Sequence, residues 1–140
     1  MENNPALDAL VAGASTMGIA EEQTLADALA ARGAGAIAGL DVLHVQCHPG
    51  FDTVSLARRG ARVTGVDFSP ASLDKARAIA ARCGVQITYV EGDSTALPAA
   101  LHGRFDLAYA TIGVLCWIED IDAWMRSVTA TLRAGGALCL

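Results

Sequence analysis

From residue 41 onward, short apolar runs alternate with segments whose apolar residues recur every three or four positions, the pattern of βαβ units in a parallel sheet. Five strands are predicted, at 42–46, 62–66, 86–90, 105–110 and 137–140. A helix at 51–59, ended by Gly60, follows the first. After the second, Ser69 is a natural N-cap and Pro70 a first helical residue, and Leu73, Ala76, Ala80 and Cys83 form a stripe that stops at Gly84. A last helix is predicted at 120–133. Ile121, Trp124, Met125, Val128 and Leu132 face inward, acids lie in its first turn, Arg133 in its last, and Ala134-Gly135-Gly136 ends it.

Upstream, Asn4 before Pro5 caps a short helix carrying Leu7, Leu10 and Val11 on one face, with Gly13 as its stop. A second helix spans 19–32, with Glu21 and Glu22 at the end that favours negative charge and Leu25, Ala28, Leu29 and Arg32 at helical spacing. Gly33, Gly35 and Gly39 then loosen the chain. The expected organisation is an N-terminal helical segment, 1–40, on a nucleoside-binding domain, 41–140, with both forming one compact domain.

Composition narrows the function. Ten Lys and Arg against fifteen Asp and Glu give a net charge of -5, and the basic residues form no stripe that tracks phosphates, so no nucleic-acid partner is expected. Hydrophobic residues make up 53% of the chain, yet much of this is alanine, and no apolar run approaches the roughly 18 residues of a membrane span. The expectation is a protein with no membrane partner. The start, Met1-Glu2-Asn3-Asn4-Pro5, lacks the basic residues and apolar stretch of a secretory signal, which makes the cytoplasm the default. Cys47, Cys83, Cys116 and Cys139 form no C-x-x-C pair and are expected to stay reduced.

In an open parallel sheet, ligands bind outside the carboxyl ends of the strands where strand order reverses. Four loops meet that criterion: 47–50, Asp67-Phe68, 92–94 and 111–117. An acid ending the second strand, Asp67, is placed to accept both hydroxyl hydrogens of a ribose. Phe68 can cover an adenine face, Asp93 can accept the exocyclic amino group, and the Ser94 amide can donate to a ring nitrogen. Taken singly, Asp67 reads equally as a solvated strand-end acid and Asp93 as a turn residue; together, at neighbouring strand ends, they favour a nucleoside.

His44, Cys47, His48 and Cys116 are zinc-ligand types, but their spacing matches no structural zinc signature, and no metal site is expected. His44 reads as a hydrogen-bonded core histidine, His48 as better placed to touch a ligand, and His102 as solvated. Tyr109 and Trp117 either line an acceptor pocket or pack at the top of the sheet. A nicotinamide or flavin site is disfavoured, because Gln46 and His48 stand where G-x-G-x-x-G needs glycine beside a pyrophosphate.

The pieces DVLHVQCHPGFDTVSLARRGARVTGVDFSP, YVEGDSTALP, GRFDLAYATIGVLCWIED and LRAGGALCL resemble the class I S-adenosylmethionine-dependent methyltransferases, in a branch with an HLQCH-like first motif, over 41–140. The resemblance implies a Rossmann-like α/β fold, a parallel sheet of order 3-2-1-4-5 with helices on both faces, and S-adenosylmethionine as cofactor. It assigns the methionine end of that cofactor to the turn of Gln46, His48 and Gly50, the ribose to Asp67, and adenine to Asp93 and Ser94; Phe68, from its place beside Asp67, and Thr111, which opens the loop after the fourth strand, complete the expected cofactor-binding residues. The usual motif has an acid and three alternating glycines; here His44, Gln46 and His48 replace all but the last glycine, and the side chains at 46 and 48 are expected to crowd the backbone approach.

Members of that family place two further strands after the fifth, so this chain lacks the last two and is expected to be a truncated form. Its fifth strand is then a hydrophobic edge, covered by a second copy in a homodimer or by the rest of a longer enzyme. The implied function is methyl transfer to a small molecule. Its alternatives are a non-catalytic module for cofactor binding or self-association, and a cyclase or isomerase on the same scaffold. No catalytic residue is assigned, because displacement at a sulfonium can run on positioning without a dedicated base.

Overall fold

A computed structural model describes residues 4–111 and 113–140. Its centre is a sheet of five parallel strands, β1 (Asp41–Val45), β2 (Arg62–Asp67), β3 (Thr88–Glu91), β4 (Phe105–Ala110) and β5 (Leu132–Cys139), in the order β3-β2-β1-β4-β5. Five α-helices surround it: α1 (Pro5–Val11), α2 (Ile19–Arg32), α3 (Phe51–Arg58), α4 (Pro70–Cys83) and α5 (Ile121–Ala130). The central strands are apolar without alternation because both their faces are covered. All six residues of β4 and the last four of β1 are buried.

One face packs Val42, Val63, Leu107 and Tyr109 against Leu25, Ala28 and Leu29 of α2 and Leu56 of α3. The other packs Leu43, Val45, Val66 and Ala108 against Trp124 and Val128 of α5. Leu10 of α1 is fully buried against Val54 of α3 and Ile79 of α4. The N-terminal helices therefore supply part of the same core.

Local signals account for most boundaries. The Ser69 hydroxyl accepts the Ser72 amide hydrogen at 3.3 Å, Pro70 opens α4, and Gly84 closes it at φ 68°. Ile79 belongs to the buried face of α4 and Cys83 is only half-buried. β1 ends at Val45 because Gln46 turns into the left-handed region at φ 54°.

The C-terminal end departs from the sequence expectation. α5 stops at Ala130 instead of running to Arg133, and β5 begins two residues later. The carbonyl of Thr131 accepts the amides of Arg104 and Phe105 at 2.9 and 3.0 Å, so the chain is pinned to the start of β4 and cannot continue as a helix. Phe105 pairs with Leu132 and Leu107 with Ala137, so 133–136 bulge opposite Asp106. The Ala134-Gly135-Gly136 stop is thus a bulge within a strand. A Cβ on Gly136 would lie 2.9 Å from the Arg133 carbonyl oxygen.

Arg133, expected in a helical last turn, instead donates from Nη2 to Asp41 at 2.6 Å and from Nη1 to Asp106 at 2.8 Å. Leu132 is half-buried in the strand, and Ile121 and Met125 are exposed, leaving Trp124 and Val128 as the inward face of α5.

Candidate functional site

The chain runs outward from β1 to β2 and β3, then returns to place β4 on the other side of β1. Above that reversal the loops at the carboxyl ends part and leave a cleft of about 760 Å³. Six of the eight residues expected to hold the cofactor line it: Gln46, His48, Asp67, Phe68, Asp93 and Ser94.

Asp67 ends β2 and is buried, and its carboxylate ties two loops together. Oδ2 accepts the His48 amide and Oδ1 the Ser69 amide, both at 3.0 Å. An ionised carboxylate offers about four acceptor directions, and among the described residues two of them carry no hydrogen bond. Phe68 follows with 73% of its surface exposed, offering an apolar face. Asp93 Oδ1 accepts both the amide and the hydroxyl of Thr95, at 2.8 and 2.7 Å. The Thr95 hydroxyl, then its amide, hold the Asp93 carboxyl below the usual carboxylate range. Among the described residues Oδ2 of Asp93 makes no hydrogen bond.

The first motif keeps the backbone path that glycines would take without having them. Gln46 and His48 adopt φ 54° and 52°, a left-handed conformation costing a non-glycine residue roughly 1–2 kcal/mol each. The Gln46 carboxamide oxygen accepts Nε1 of Trp124 at 2.9 Å, tethering that side chain to α5. The His48 ring is exposed, with Nδ1 3.9 Å from Asp67 Oδ2. Both side chains thus line the cleft, one tied down to α5 and one exposed beside Asp67.

Two predicted residues lie outside the cleft lining. Gly50 caps α3 at φ 82°, and a Cβ there would stand 2.9 Å from the Tyr89 hydroxyl and 3.3 Å from the Ala76 Cβ. Its place is in the packing beneath the loop. Thr111 is half-buried at the end of β4 and does not line the cleft.

Tyr109 is buried and donates its hydroxyl to Asp52 at 3.2 Å, so of the two aromatic candidates only Trp117 reaches the cleft. His44 is a core residue, with Nδ1 2.7 Å from the Thr53 hydroxyl and its ring edge-on to Tyr109. Burial first, then the charge of His48, push its imidazole down to about 3, so it is neutral. Among the described residues no three His, Cys, Asp or Glu side chains gather as metal ligands. All four cysteines are free; burial, and secondarily Asp67, push the Cys47 thiol up to about 12.

The sequence reading missed Ile118, Glu119 and Asp120, which with Trp117 form the wall beyond β4. The helical spacing places Asp120 at the start of the last helix, and Asp120 does cap it, accepting the Ala123 amide at 2.8 Å, while Glu119 precedes that helix. The available signal was their place directly after a strand-end loop.

Comparison with known proteins fits this geometry. The family profile described as a methyltransferase domain matches residues 42–136. A ubiquinone biosynthesis O-methyltransferase of Methylobacterium sp. is 36% identical over 100 residues, covering 71% of this chain and 39% of that protein. One from Shewanella pealeana is 40% identical over 103 residues, covering 74% and 43%. The chain thus spans about two fifths of the length of these curated relatives. Among solved structures, an S-adenosylmethionine-dependent methyltransferase from Mesorhizobium loti aligns with a TM-score of 0.63 at 30% identity, over 88% of this chain and 51% of the other. An arsenic(III) S-adenosylmethionine methyltransferase from Chlamydomonas reinhardtii shares the fold, with a TM-score of 0.68 at 23% identity over 98% and 48%.

Proposed function

This chain belongs to the methyltransferase domain family, and we propose that its cleft binds S-adenosylmethionine and serves methyl transfer to a small molecule. The observation that carries the reading is the pair of acids at adjacent strand ends, Asp67 and Asp93, opening into one cleft of about 760 Å³. That volume is in the range of cofactor sites.

The residues present fit the nucleoside. Asp67 keeps two free acceptor directions for the ribose hydroxyls, and its amide bonds to His48 and Ser69 hold it in place before any ligand arrives. Phe68 covers an adenine face, Asp93 accepts the exocyclic amino group through its free oxygen, and Ser94 offers its amide to the ring. Gln46 and His48 line the methionine end with glycine-like backbone. When bound, the cofactor supplies an electrophilic methyl group on a sulfonium, and the chain's task is to align it with the acceptor and to exclude water.

Calorimetric titration with S-adenosylmethionine and its demethylated product tests the reading. Saturable heat is expected with both, and no heat at millimolar ligand would refute it. We further propose a homodimer through β5, whose outer edge has no strand partner among the described residues. A monomeric sedimentation profile at micromolar protein excludes it. Four free cysteines suit a reducing, cytoplasmic setting.

A further inference from the structure

We propose that the acceptor taken by this cleft is a basic amine, met in its ammonium form by Trp117 and Glu119. The inference rests on the cofactor reading above, which uses the walls after β1, β2 and β3 and leaves the wall of Trp117, Ile118, Glu119 and Asp120 for the acceptor.

Trp117 stands 82% exposed, an unusual place for an indole unless something covers it. Glu119 is exposed too, and among the described residues its carboxylate makes no hydrogen bond or ion pair, whereas Asp120 is already engaged in capping α5. An open indole two residues from a free carboxylate is a pairing that recognises cations: the ring face attracts an ammonium through its quadrupole and the carboxylate through its charge.

The charge of the whole cleft points the same way. Its lining carries four acids, Asp67, Asp93, Glu119 and Asp120, no Lys or Arg, and His48 as the one side chain able to bear positive charge. With the nucleoside on Asp67 and Asp93, a carboxylate or phenolate entering still meets the like charge of Glu119 and Asp120, and a neutral hydroxyl gains one hydrogen bond to the carboxylate but not the attraction of a full positive charge to both partners. The similar proteins from Methylobacterium and Shewanella are named as O-methyltransferases, so this selectivity would set the chain apart from them. For transfer, the ammonium must first release one proton to solvent; the nitrogen lone pair then forms the N–C bond while the electrons of the broken C–S bond stay on sulfur.

The test uses three probes of one shape and different charge: benzylamine, benzyl alcohol and benzoate. Each is titrated, by ligand-observed NMR, into protein saturated with S-adenosylhomocysteine. Benzylamine is expected to bind at least tenfold more tightly than either of the others, and to lose about fivefold or more in Trp117→Leu and in Glu119→Gln. Both side chains are exposed, so neither change endangers the fold. Equal or tighter binding of benzoate or benzyl alcohol overturns the inference, as does benzylamine binding unchanged in both variants. Failure of S-adenosylhomocysteine itself to bind removes the cofactor reading and this inference together; cofactor binding without amine preference removes the inference alone.

Discussion

Replacing Asp67 by Asn separates the structural work of this carboxylate from its proposed work on ribose. The side chain is buried and accepts two backbone amides at 3.0 Å, one from the β1 loop and one from the β2 loop. Asn keeps the volume but presents one acceptor and one donor. One bond falls from charge-assisted to neutral, a loss of about 1 kcal/mol; the other becomes donor facing donor, leaving a buried N–H unpaired at about 1–3 kcal/mol. The expected destabilisation is therefore about 2–4 kcal/mol. For a chain of this size it lowers the melting temperature by roughly 6–12 °C. Urea unfolding followed by circular dichroism reads the free energy. A loss under about 0.5 kcal/mol would show that the carboxylate does not hold the two loops. In parallel, affinity for S-adenosylmethionine is expected to fall at least tenfold at a temperature where the variant stays folded. Unchanged affinity would disprove the ribose assignment while leaving the structural one intact.

The core imidazole of His44 makes stability depend on pH. It stays neutral in the folded chain down to about 3 against an ordinary value of 6.5, so below 6.5 the unfolded state binds the extra proton. Stability should fall by about 2 kcal/mol from this group as pH drops from 6.5 to 5; an equal slope in His44→Asn, read by urea unfolding at both pH values, counts against the account. Among the described residues the buried Tyr89 hydroxyl has no partner, so Tyr89→Phe is expected to be neutral or stabilising by about 1 kcal/mol; a loss above that in thermal unfolding would reveal a hidden partner. Gly50→Ala combines a left-handed backbone with a Cβ 2.9 Å from the same hydroxyl and should cost about 2 kcal/mol or more. Because the nearest atom is that oxygen, a double-mutant cycle should find Gly50→Ala less costly beside Tyr89→Phe, and strict additivity would locate the strain elsewhere.

What the chain's spacing settled by itself is local. The limits of α2 and of β4 coincide with those read from periodicity, and α4 starts and stops at the Ser69 cap and Gly84, because caps, helical stripes and apolar runs act over a few neighbours. Asp67 and Asp93 could be placed at strand ends for the same reason, and they do open into one cleft. The tertiary structure decided what depends on distant partners. The last helix ends early because Arg104 and Phe105 capture the Thr131 carbonyl from across the sheet, and the glycines after it become a bulge that aims Arg133 at Asp41 and Asp106. That Gly50 admits no side chain is likewise a tertiary fact, because Tyr89 and Ala76 pack where a Cβ would be. Tyr109 and Trp117 flank one strand-end loop, yet the first turns into the core toward Asp52 and the second out into the cleft. No local pattern distinguishes those two fates. They follow from which face of β4 meets α2 and from where the loop beyond β4 is held, and both are set by contacts between residues far apart in the chain.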